Sequence, residues 1–68
     1  MTYRIYKTDP AIGQPWGEVQ LIDESASPPS IVSARIPFQA SQSQTLGQVE
    51  LDLRLQARQA LLDAAAQL

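Results

Sequence analysis

The sequence predicts an α+β fold: a three-stranded antiparallel meander followed by one long C-terminal helix packed on one sheet face, β-β-β-α in order. Three observations carry that expectation. Stretches near residues 2–8, 18–23 and 31–38 are rich in β-branched and aromatic residues and close to alternating, which suits half-buried strands. The segments between them are crowded with proline, glycine and serine. After residue 44 the apolar spacing changes from two to the three-and-four pattern of a helix and keeps it to the end of the chain.

T-Y-R-I-Y-K-T at 2–8 is the first strand, with Tyr3 and Ile5 on one face and Arg4 and Tyr6 on the other. D-P-A-I-G-Q-P-W-G at 9–17 holds two prolines and two glycines, which break a hydrogen-bonded ladder and make a loop that includes Trp16. E-V-Q-L-I-D at 18–23 resumes the strand pattern, and a hairpin with the first strand is the simplest pairing. It ends before Pro28 and Pro29, which can neither donate to a sheet nor leave the preceding residue free to be helical. I-V-S-A-R-I-P-F at 31–38 is the third strand, and a polar linker covers 39–44. The expected inner face is Tyr3, Ile5, Val19, Leu21, Val32, Ala34, Ile36 and Phe38.

The helix, expected over about 45–67, opens on Thr45 as N-cap with Gln48 three residues on, the T-x-x-Q form of a capping box. At about 100° per residue, Leu46, Val49, Leu53, Ala57, Ala60, Leu61, Ala64 and Leu68 share one stripe that would face the sheet. Leu51, Leu55 and Leu62 fall on the opposite side with Ala66, and the two faces are separated by polar and charged residues. The strict alternation of V-E-L-D-L-R-L also fits a fourth strand over 49–55 followed by a short helix from Ala57. Leucine, glutamate, arginine and glutamine are good helix formers, however, and a strand leaves the T-x-x-Q start unexplained.

Sixty-eight residues make one small domain, expected over 1–68, and a chain of that size buries only about 60% of its unfolded surface. There is no cysteine and no histidine, so disulfides, zinc, haem and catalytic dyads built on those residues are excluded. No metal, cofactor or catalytic residue is expected, and the chain reads as a non-enzyme. No apolar run reaches membrane-spanning length or resembles a signal peptide, and the absence of cysteine fits a cytoplasmic setting. Net charge is −2. Residues 1–38 carry three cations against four anions and residues 39–68 two against three, so tight binding to a phosphate backbone is disfavoured.

The function expected from these residues is a protein-protein interaction module, forming a homodimer or binding another chain. Its surface would be Leu51, Leu55, Leu62 and Ala66, because one small subunit can cover only one face of such a helix. Trp16 is a further candidate anchor, since tryptophan is enriched at binding hot spots; alternatively it folds over an open end of the core. Asp23, Glu24 and Ser25 form the densest polar cluster, a composition ordinary for a solvated turn. The order β-β-β-α resembles half of a double-stranded-RNA-binding fold and the small antitoxins of HicB type, in topology alone and without a family motif in the residues. That likeness implies a nucleic-acid-associated regulator whose outer sheet face would use Arg4, Tyr6 and Arg35.

Overall fold

The computed structural model describes residues 2–40 and 43–68. Three strands, β1 (Arg4–Asp9), β2 (Trp16–Asp23) and β3 (Ser30–Pro37), pair antiparallel in the order β1-β2-β3, and α1 (Leu46–Ala65) packs on the sheet. The expected fold class is the one observed, and residues 49–55 are helical. Of the expected linker at 39–44, Ser41 and Gln42 lie outside the described residues.

Both loops are fixed by short polar side chains. Asp9 Oδ1 accepts the Ala11 amide at 2.9 Å, and the Gln14 amide donates to the Ala11 carbonyl at 2.8 Å. The bend places Gly13 at φ 87°, a region that glycine enters without steric cost. β2 begins at Trp16, two residues earlier than its sequence pattern suggests, because the Trp16–Pro37 pairing and a Phe38 amide bond to the Pro15 carbonyl lengthen the ladder. At the other end, Asp23 Oδ1 accepts both the amide (3.0 Å) and the hydroxyl (2.5 Å) of Ser25, which turns the chain out of β2.

Directly paired residues of an antiparallel ladder share a face. Val19 opposite Ala34, Leu21 opposite Val32 and Gly17 opposite Ile36 therefore line the side that α1 covers. The core is Val19, Ala34, Phe38, Val49, Leu53 and Ala57, with Ile36, Ala40 and Leu61 partly buried against it. Gly17 sets how closely the layers meet: a Cβ built there would stand 2.6 Å from Leu53 Cδ1. Leu53, with 0% of its surface exposed, is the helix residue seated deepest.

Three expectations are corrected. Tyr3 and Ile5 are exposed rather than core, since every buried core residue comes from β2, from β3 and its exit at Phe38, or from α1, and none from β1. Leu46, Ala64 and Leu68 are also exposed, because both ends of the helix overhang the sheet. The register of β1 against β2 shifts between Ile5 and Lys7, a bulge that leaves Tyr6 without a paired residue and reverses the alternation beyond it. Ile5 and Thr8 thus face the helix, whereas Arg4 and Lys7 face away. Ile22, opposite Arg4 and Ile31 on the outer face, is buried, which its flanking charges did not suggest.

The helix start matches the sequence pattern. The Gln48 amide donates to Thr45 Oγ1 at 3.2 Å, and the Thr45 amide donates to Gln48 Oε1 at 3.0 Å. These reciprocal bonds satisfy two donors that have no partner within the helix. The helix ends at Ala65, two residues short of the expected boundary.

Candidate interaction surface

The side of α1 turned away from the sheet carries Leu51, Leu55 and Leu62, which are 57%, 56% and 56% exposed. Spacings of four and seven residues place them in one line about 16 Å long. Ala66, the exposed C-cap residue, extends it. Arg58 belongs to the same line: Leu51, Leu55, Arg58 and Leu62 follow one another at intervals of four, three and four. Those are the intervals of a helix-helix seam, with a guanidinium in the third place.

Beside this line lies a cleft of about 390 Å³ between α1 and the inner faces of β1 and β2. Its walls are almost wholly apolar: Ile5, Val19, Leu21, Ala57, Leu61 and Leu62, with the carbon stems of Arg54 and Arg58. The buried stripe of the helix packs mainly on β2 and β3, and Ile5 on β1, across the cleft from α1, stays 45% exposed. Arg54 is fixed at the lip, donating from Nε to Thr8 Oγ1 at 3.1 Å and lying 3.8 Å from Glu50. Arg58 is exposed and, among the described residues, has no carboxylate partner. The other four cations each have one: Arg4 with Glu24, Lys7 with Asp9, Arg35 with Glu18 and Arg54 with Glu50. Leu62 belongs to both the exposed line and the cleft wall, so the two form one continuous surface.

The remaining sequence candidates lie elsewhere. Trp16 is half-buried in β2 beside Gly17, whose missing side chain would point at Leu53; alternation turns the indole to the opposite side of the sheet. There the Arg35 guanidinium covers the ring at 4.4 Å from its centroid. The sheet therefore separates Trp16 from the leucine line, and no single flat partner touches both. Arg4, Tyr6 and Arg35 are not gathered into one patch either. Arg4 pairs opposite Ile22 and Arg35 opposite Glu18, four residues apart along β2 and on the two outer strands. That separates them by about 13 Å along the sheet and about 10 Å across it. Tyr6 occupies the bulge.

The polar cluster at 23–25 is engaged within its own turn. Asp23 is buried, and the Ser25 hydroxyl and amide hold its carboxyl below the ordinary value of 3.8, against the opposing effect of burial. It is therefore ionised at neutral pH, with its Oδ1 acceptor directed at its own chain. Glu24 is occupied by Arg4. Among the described residues no group of three or more Asp or Glu is placed to hold a metal ion, and no helix is long and apolar enough to cross a membrane.

No family model matches the chain, and none of the characterised proteins or solved structures compared with it does. Function is read from these residues alone. Sequence reasoning reached the leucines but passed over Arg58 as one of the polar residues between two stripes. The signal that would have found it is the four-three-four spacing. The cleft has no such signal, because it depends on where the helix lies across the sheet.

Proposed function

We propose that this chain is a non-enzymatic protein-protein interaction module that docks its partner on the outer line of α1 and the adjoining cleft. The observation that carries the reading is the alignment of Leu51, Leu55 and Leu62, each more than half exposed, on the helix side opposite Leu53. Magnitudes decide how much of the surface must take part. Completing the burial of three half-exposed leucines is worth about 2–5 kcal/mol, whereas association costs about 4–15 kcal/mol in lost freedom. The leucine line alone does not hold a partner. Adding Ile5 and Leu61 at the cleft, with a satisfied charge at its lip, brings the surface into the range of a specific, transient contact.

A photo-crosslinking side chain placed at Leu55 in cells that produce the protein tests this, with the same group at Ser33 on the outer sheet face as control. Discrete adducts from position 55, whether with a second copy or another protein, and none from position 33 are expected. No adduct from position 55, or equal adducts from both, refutes the reading. Sedimentation of the wild type and of Leu55→Asp at tens of micromolar shows whether the homodimer is one of the forms.

A further inference from the structure

Resting on that docking surface, we infer that its occupant is an acidic amphipathic segment of another protein, one that presents a carboxylate to Arg58 between apolar side chains. Arg58 occupies the third place of the Leu51, Leu55, Arg58, Leu62 ladder and lines the cleft, and it alone among the cations of the described residues lacks a carboxylate. The chain is acidic overall, with seven carboxylate side chains to five cations, so an arginine without a carboxylate partner, set in a line of leucines, stands apart from its surroundings.

Charge complementarity then selects among occupants. A second copy packed antiparallel, Leu55 against Leu55, would offer Arg58 only Asp52, which flanks the line about 100° from Leu51, and an ion pair at such a solvated rim contributes little. A partner carboxylate supplies two acceptors that match the guanidinium fork. A small amphipathic anion such as a fatty acid could satisfy Arg58 and enter the cleft, but it would leave Leu51 and Leu55 in water one to two turns away. A peptide chain covers both. Arg54, on the sheet side of the same lip, is already engaged by Thr8 and Glu50, which leaves Arg58 as the cation open to a partner.

Two synthetic amphipathic peptides test this, identical in leucines spaced four and seven residues apart and differing only in a glutamate or a lysine set between them. Each is titrated into the isotopically labelled chain and followed by amide shifts. The glutamate peptide is expected to bind at least tenfold more tightly, shifting Ile5, Leu55, Leu61 and Leu62. Arg58→Glu is expected to reverse that preference and Arg58→Ala to abolish it, with circular dichroism confirming that both variants fold. Equal binding of the two peptides at these residues overturns the acidic partner while leaving the docking surface standing; no shift from either overturns both. Dodecanoate filling the cleft where neither peptide binds overturns the inference in favour of a lipid-like ligand. A wild-type dimer through this surface that is indifferent to Arg58→Glu overturns it in favour of a second copy.

Discussion

Gly17→Ala tests the contact that sets the spacing of helix and sheet. Two effects oppose each other. In a strand, alanine restricts the unfolded chain more than glycine does, which favours the variant by about 0.4–1 kcal/mol. Against that, the new Cβ would lie 2.6 Å from Leu53 Cδ1, 3.0 Å from Cδ2 and 3.4 Å from Cγ. An ordinary carbon contact is about 3.5–4.0 Å. Leu53 is fully buried, so its tip can give way only by disturbing the packing around it. Overpacking of this kind costs about 1–3 kcal/mol, which exceeds the entropic gain. A net loss of about 1–2 kcal/mol is expected, a fall in Tm of roughly 5–15 °C for a domain of this size.

Leu53→Ala alone is expected to cost about 2–5 kcal/mol. In that background the alanine at position 17 faces vacated space, so Gly17→Ala should become neutral or stabilising. The double-mutant cycle, measured by urea denaturation with far-ultraviolet circular dichroism, should show a coupling of about 1–3 kcal/mol. Additive single variants, or a Gly17→Ala chain at least as stable as wild type, would show that Gly17 does not control this packing.

Thr45→Ala removes the acceptor for the Gln48 amide and half of the capping box, and should lower stability by about 0.5–2 kcal/mol, with Thr45→Ser restoring most of it in the same urea titration. The carboxyl of Asp23 has a folded pKa depressed by Ser25, so its contribution is present above the ordinary value of 3.8 and is lost as pH falls through that value towards the lower folded one. Urea midpoints of the wild type should drop over that acid range, and Ser25→Ala should flatten the drop; a slope unchanged by Ser25→Ala would remove this assignment. Leu55→Asp and Leu53→Asp separate the two sides of the helix: the first should change monomer stability by no more than about 0.5 kcal/mol, whereas the second should prevent folding. Matching losses of circular dichroism signal in both would contradict the exposure of Leu55.

The element order was legible because each local signal agreed with the architecture. Strand-like alternation, breaker-rich loops and the T-x-x-Q cap all correspond to observed features. The two helix sides were legible too, since Leu53 and Leu55 differ by about 200° on an ideal helix and the structure buries one and exposes the other. What was not legible depends on lateral placement. The helix lies towards β2 and β3, so Ile5 satisfies the alternation rule and still remains open, and the cleft follows from that offset. The bulge at Tyr6 was equally hidden, because nothing in T-Y-R-I-Y-K-T announces an extra residue, yet it decides which way Arg4 and Lys7 point. Trp16 reads in the sequence as an aromatic in a loop, whereas its pairing with Pro37 in β2 and the alternation of that strand set its direction.

The offset of the helix also divides the molecule mechanically. β1 contributes no buried residue and is held by its pairing to β2 and by side-chain links such as Tyr3 to Ser30, Arg4 to Glu24 and Arg54 to Thr8. It is the compliant wall of the cleft, while α1 and β2 form the stiff one. Force on the cleft would therefore be taken up first by β1, where few buried contacts oppose it, and last by the packing around Leu53.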